Sequence, residues 1–207
     1  MKICVLMKQV PDKNASLAIS SDNCSLNDNN MTLACNESDN YALEEALLIK
    51  EKHGGEVVAC SLGNETASQI LKDAMAKGAD RSILISDEKF NNFDILSIAK
   101  IFASTLKKEN FDLILSGLQS DDQGNSQLGM ILAELLDMSH ASLVMGTEII
   151  NEHTMKVKRE LESGWFQWTE LSLPSSISIQ SGINTPRYAT LKGIMMVKNK
   201  QTDTFNA

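Results

Sequence analysis

The sequence predicts an α/β fold: a doubly wound, mostly parallel sheet with an added β-hairpin. Three observations predict it. Apolar runs without polar alternation recur at residues 3–7, 57–62, 82–85 and 113–115. Stretches with apolar residues at helical spacing separate them. Strands covered on both faces read as unbroken apolar runs, and amphipathic helices between them supply the cover. Beyond Ser142 the alternation stops, and two extended runs follow a different pattern.

Residues 3–7 form the first buried strand. Residues 14–30 are rich in Ser, Asn and Asp and predict a loop or weak hairpin. A helix over 41–51 places Ala42, Leu43, Ala46, Leu47 and Ile49 on one stripe. Ser38 or Asp39 is its expected N-cap, and Gly54-Gly55 follows its end. After the strand at 57–62, helical spacing returns at Ala67, Ile70, Leu71, Ala74 and Met75, with Gly78 suited to the position just past the helix. The strand at 82–85 precedes a helix carrying Ile95, Ile98, Ala99, Phe102 and Leu106, capped by Asp94. The strand at 113–115 leads to a helix using Leu128, Ile131, Leu132, Leu135 and Leu136. Runs at 155–161 and 165–171, joined by Glu162-Ser163-Gly164, predict the hairpin. A strand at 175–179 follows Pro174. Residues 1–200 are expected to form one domain, and the polar stretch 201–207 is expected to fray.

The chain has 207 residues and a net charge of −8, with 43% hydrophobic and 22% charged residues. A nucleic-acid binder needs a basic face, which this acidity disfavours. No stretch approaches the roughly 20 apolar residues of a membrane span. The apolar run at the N-terminus is shorter than the roughly seven residues of a secretory core, so a cytoplasmic location is expected. Cys4, Cys24, Cys35 and Cys60 show no C-x-x-C spacing, and His53, His140 and His153 are scattered, so no metal site is expected.

In a doubly wound sheet, ligands sit in the crevice at the strand C-terminal ends. The loops expected there are 8–13, 61–65, 87–93 and 116–127. The last reads Ser116-Gly117-Leu118-Gln119-Ser120-Asp121-Asp122-Gln123-Gly124-Asn125-Ser126-Gln127, followed by Leu128-Gly129. It is small and polar, contains glycine, and runs into a helix N-terminus. Backbone N–H groups and the helix dipole suit a phosphate there, although the loop matches no Walker A or G-x-G-x-x-G pattern. Asp121 and Asp122 are either solvated or placed for a ribose hydroxyl. No Ser/His/Asp set and no G-x-S-x-G are present, so no catalytic residue is assigned. Glu44 and Glu45, adjacent on a helix, are expected on a solvated face. The residues alone describe a nucleotide-binding α/β domain whose chemistry is supplied elsewhere.

Three segments together resemble the beta subunit of electron transfer flavoprotein. They are Lys8-Gln9-Val10-Pro11-Asp12 after the first strand; Asn36 to Asp39 with Tyr41-Ala42-Leu43-Glu44-Glu45-Ala46-Leu47; and Asn184-Thr185-Pro186-Arg187-Tyr188-Ala189-Thr190-Leu191-Lys192-Gly193-Ile194-Met195. The phrase Met75 to Arg81, the Gly117 loop and the hairpin follow in order. The resemblance implies a Rossmann-like fold of the adenine nucleotide alpha hydrolase-like kind. It implies an electron carrier paired with an FAD-carrying alpha subunit, with AMP in the beta crevice, serving flavin dehydrogenases such as acyl-CoA dehydrogenases. A bifurcating branch with a second FAD in the crevice and NADH oxidised beside it is the alternative. A non-redox adenine-nucleotide-binding regulatory domain is the alternative of another class.

By resemblance, nucleotide contacts fall on Leu6, on Asn36, Glu37, Ser38 and Asp39, on Leu62, and on the loop from Gly117 through Gln119, Ser120, Asp121, Asp122, Gln123, Gly124, Asn125, Ser126 and Gln127 to Leu128. Residues 184–196 resemble the family's recognition loop. Leu191 there implies an anchor on a partner dehydrogenase, with Tyr188 beside it and Arg187 supporting the loop or the subunit interface. The family's Asn-Pro is replaced here by Asn36-Glu37, and its C-terminal arm is expected to be largely lacking beyond Lys200.

Overall fold

The computed structural model describes residues 1–21, 23, 26–27, 31–86 and 93–206. Its main sheet has nine strands. They are β1 (Lys2–Leu6), β4 (Glu56–Leu62), β5 (Arg81–Ile85), β6 (Leu113–Gly117), β7 (Ser139–Asn151), β8 (Thr154–Glu160), β9 (Phe166–Ser172), β10 (Ser175–Ile179) and β11 (Thr202–Phe205), in the spatial order β11-β5-β4-β1-β6-β10-β7-β8-β9. The pairings from β11 to β7 are parallel, while β7-β8 and β8-β9 are antiparallel. A two-stranded ribbon, β2 (Gln9–Pro11) with β3 (Leu33–Cys35), stands apart from this sheet.

The helices are α1 (Glu37–His53), α2 (Ser68–Lys77), α3 (Ile95–Leu106), α4 (Leu128–Leu135) and α5 (Leu191–Met196). Alternate side chains of the buried strands feed two separate cores. Ile3, Val5, Val57 and Leu115 pack with Leu43, Leu47 and Leu71 of α1 and α2. Cys4, Leu6, Val58 and Ile114 pack with Phe102, Leu106 and Leu132 of α3 and α4. Successive residues of a strand point to opposite faces, so strands covered on both sides must be apolar at every position.

The chain runs from β1 through α1 to β4 and through α2 to β5, then crosses back through α3 to β6 on the other side of β1. Strand order therefore reverses between β1 and β6. Adjacent connections diverge there and leave a crevice at the strand ends.

Several expectations are corrected. Residues 201–207 are not a frayed tail over their described part: Thr202–Phe205 pairs in parallel with β5, and the Ser82 hydroxyl is bonded to Thr202. The edge of the parallel sheet offers free N–H and C=O groups that a polar segment satisfies as well as an apolar one. The N-cap of α1 is Asn36 rather than Ser38 or Asp39. Glu44 and Glu45 are buried, not solvated. β7 is thirteen residues long and joins the parallel sheet to the hairpin. Asp94 does cap α3, its carboxylate accepting from the Ser97 amide at 2.7 Å. Within 14–30, one antiparallel bridge joins Ile19 and Leu26. Of the expected strand-end loop 87–93, residues 87–92 lie outside the described residues, as does Cys24.

Candidate functional site

The reversal between β1 and β6 opens a cleft of about 740 Å3, open solvent at its mouth included. One wall is apolar: Leu6 and Leu62 from the ends of β1 and β4, with Ile95, Ile98 and Phe102 from α3. Its other wall is the polar loop from Gly117 to α4. This pairing suits a flat apolar ring on one side and a polar, anionic group on the other.

The ribbon β2-β3 returns the chain to the end of β1. There the Asn36 amide donates to the Lys8 carbonyl at 2.9 Å. α1 thus begins beside the cleft, and its first turn is built into the walls. Asp39 Oδ2 accepts from the Lys8 amide at 2.8 Å, and Asp39 Oδ1 accepts from the Gly117 amide at 3.0 Å. One carboxylate therefore fastens the ends of both strands at the reversal. Burial pushes its pKa up to about 7 against the opposing hydrogen bonds from Lys8, Asn36 and Gly117. A side chain on Gly117 would run into Ser38 Oγ and Asp39 Oδ1, which makes glycine a steric requirement there.

Asn36 binds the loop in two directions. Its Nδ2 donates to the Gln119 carbonyl at 2.9 Å, and its Oδ1 accepts from the Asp121 amide at 2.9 Å. Ser38 Oγ also donates to the Gln119 carbonyl at 2.8 Å. The Glu37 amide donates to Asp121 Oδ2 at 3.2 Å, a bond that a proline there cannot make.

Leu6, Asn36, Asp39, Leu62, Gly117, Gln119, Ser120, Gln123, Asn125, Ser126, Gln127 and Leu128 all line the cleft. Glu37, Ser38, Asp121, Asp122 and Gly124 are not among the lining residues. Ser38 is bonded to the loop, Asp121 to the start of α1, and Asp122 to Lys8. Gly124 is a turn residue at φ +63°, and Ser126 shares the left-handed region at φ +55°. Lys8 and Ser116, expected in the strand-end loops but not named as contacts, also line the cleft, and nothing in the sequence marked Met7, Ile95, Ile98, Phe102 and Gly129 as lining it. Ile98 and Phe102 were legible only as a core stripe.

Lys8 is the one lysine or arginine among the described lining residues. Its Nζ pairs with Asp122 at 2.7 Å and lies 3.2 Å from Gln123 Oε1, so it reaches across the mouth to the loop. Burial raises the pKa of Asp122, but hydrogen bonds from Lys8 and Ser120 outweigh it and hold the carboxyl below its usual range.

A second surface lies on the α1–α2 side of the sheet. Arg187 grips buried Glu44 through its backbone amide at 3.0 Å and its Nε and Nη2 at 2.9 and 2.8 Å, and holds Glu51 through Nη1 at 2.5 Å. These hydrogen bonds raise the Arg187 pKa and lower that of Glu51. Glu45 accepts from Asn184 Nδ2 at 3.0 Å and from Thr147. The two glutamates thus pin residues 184–187. Beyond that clamp, Tyr188 is 92% and Leu191 81% exposed, with Ile194 and Met195 exposed beside them.

Among the described residues, no cluster of His, Cys, Asp and Glu could hold a metal ion, and no helix is long and apolar enough to cross a membrane.

A family model described as the electron transfer flavoprotein domain matches residues 25–207. The electron transfer flavoprotein subunit beta of Methylophilus methylotrophus is 34% identical over 203 residues, covering 97% of this chain and 77% of its own length. That of Bradyrhizobium diazoefficiens is 36% identical over 203 residues, covering 97% and 79%. The acryloyl-CoA reductase electron transfer subunit gamma of Anaerotignum propionicum is 34% identical over 204 residues, covering 97% and 75%. Matched over nearly its whole length, the chain belongs to the family of electron transfer flavoprotein beta subunits and serves electron transport.

Proposed function

We propose that the cleft holds AMP and that the chain works as a heterodimer with an FAD-carrying alpha subunit. The pair shuttles electrons in the cytoplasm from flavin dehydrogenases, such as acyl-CoA dehydrogenases, to a downstream acceptor. The observation that carries the reading is the two-sided cleft at the strand reversal. The apolar wall of Leu6, Leu62, Ile98 and Phe102 accepts an adenine ring, and the loop from Gly117 to Leu128 accepts the ribose phosphate. Asn36, Ser38 and Asp39 fix that loop, so their role is to hold its backbone N–H groups in place. FAD, when held mainly by the alpha subunit, supplies the redox chemistry; the residues of this chain bind, position and dock.

The exposed apolar group around Leu191 and Tyr188 supports docking on a partner dehydrogenase. A solvent-facing leucine on a braced loop is the kind of anchor that concentrates binding energy. Arg187 is a positioning residue for that loop.

Lys8 at the cleft mouth favours a second reading, in which the two phosphates of FAD occupy the crevice and NADH is oxidised beside it. One experiment separates the readings. The chain is purified with its candidate alpha partner, and nucleotides are extracted from the complex and from the beta chain alone. AMP in the beta chain and flavin in the complex are expected. FAD in the beta chain selects the second reading. No flavin in the complex and no AMP in the beta chain overturns both.

A further inference from the structure

The first-turn N–H groups of a helix have no acceptor within the helix. In α4 the N-cap residue is Gln127, whose side chain makes no capping hydrogen bond. The start of this eight-residue helix therefore presents uncapped donors and the positive end of its dipole to the cleft.

A second unsatisfied group belongs to a residue of the cleft lining. Ser116, the penultimate residue of β6, is 6% exposed, and its hydroxyl has no hydrogen-bond partner. A Cβ built on Gly129 would stand 3.1 Å from Ser116 Oγ, so the hydroxyl lies against the first turn of α4. Ser116 and Gly129 both line the cleft. Buried polar groups without partners are rare and costly, and each calls for an explanation. Ser61 is also unpartnered, but it does not line the cleft. Ser178, opposite Ser116 on β10, would stand even closer to a Cβ on Gly129, at 2.9 Å, but does not line the cleft.

Backbone N–H groups only donate. A ligand atom seated among them must be an acceptor, and the dipole favours an anion. The hydroxyl of Ser116 can donate or accept, and beside such an atom it donates.

We infer that Ser116 donates a hydrogen bond to a phosphate oxygen of the bound nucleotide, seated against the first turn of α4. This rests on the nucleotide reading of the cleft and makes Ser116 the side chain that selects a nucleoside phosphate over the bare nucleoside. Gly129 fits the same arrangement, because a side chain there would crowd both serine hydroxyls.

The test is calorimetric titration of the full chain, stripped of nucleotide, with AMP and with adenosine. Wild type, Ser116→Ala and Ser178→Ala are compared, and thermal melts check folding. Ser116→Ala is expected to weaken AMP about tenfold or more, as for loss of a hydrogen bond to a charged group, and to leave adenosine within about twofold. Ser178→Ala is expected to leave both unchanged. The inference is overturned if Ser116→Ala leaves AMP unaffected or weakens AMP and adenosine alike. It is also overturned if Ser178→Ala matches the loss, since the effect is then packing around Gly129. Should the wild type take FAD instead of AMP, FAD against riboflavin makes the same comparison. Binding of neither AMP nor FAD overturns the nucleotide reading, and this inference with it.

Discussion

The Gly117 amide donates to Asp39 Oδ1 at 3.0 Å, tying the last residue of β6 to the first turn of α1. With Lys8 on the other carboxylate oxygen, the spacing of the two strand ends at the cleft is fixed by one side chain.

Gly117→Ala should therefore damage the cleft before it damages the fold. The added methyl meets Ser38 Oγ, Asp39 Oδ1 and the Ser38 backbone, so α1 must retreat from β6. Overpacking of this kind costs about 1–3 kcal/mol. Urea denaturation is expected to show that loss, and nucleotide titration a larger proportional loss. An unchanged urea midpoint contradicts the close approach.

Asp39 should give the protein an inverted pH response. Its pKa stands near 7 in the folded chain against an ordinary 3.8, chiefly through burial. Between those values the folded state holds a proton that the unfolded chain releases, so this group's contribution rises as pH falls. It is fully present below about pH 4 and lost as pH climbs through 7. The difference in stability between wild type and Asp39→Asn, followed by thermal melting from pH 5 to 8, should shrink or reverse toward pH 8. A flat difference contradicts the raised pKa.

Arg187→Ala should loosen the exposed loop more than it destabilises the core. Glu44 loses its guanidinium partner and keeps only the Arg187 backbone amide. Removing one partner of a buried pair is expensive, but the arginine here is partly solvated, so a cost on the order of 2 kcal/mol is expected. Amide exchange over 184–190 should accelerate. Arg187→Lys should recover only part of the protection, since an ammonium cannot make the forked contact. Equal protection in all three proteins contradicts the clamp.

Leu191→Lys should leave folding unchanged, because the side chain is exposed and surface changes seldom exceed about 0.5 kcal/mol. Electron transfer from a partner dehydrogenase should fall sharply, with nucleotide content unaltered. Undiminished transfer removes Leu191 from the docking surface.

The parallel core was legible because its strands, covered on both faces, carry apolar residues at nearly every position. β7 was not, because residues such as His140, Gly146 and Thr147 interrupt any periodicity, while its pairing with β10 and β8 supplies the order. β11 was illegible for a related reason: its strand character comes from the open edge of β5, not from its own side chains. At the site, the loop from Gly117 to Leu128 stood out by composition and position. Ile98 and Phe102 did not, since a residue lining a cleft and a residue filling a core have the same helical spacing. Glu44 and Glu45 were misread because their partners, Arg187 and Asn184, lie about 140 positions away, and local pattern carries no sign of so distant a pairing.

α5 sits so close to α2 that a side chain on Gly193 would strike the Ala76 carbonyl, and just beyond it the Lys200 ammonium bonds the carbonyls of Met75 and Ala79 at 2.9 and 2.6 Å. The exposed leucine is thus mounted on a bracket bolted at both ends rather than on a swinging arm. A pull on Leu191 is transmitted to α2 and to the sheet beneath it, so a partner that grips the leucine grips the whole domain and sets its heading.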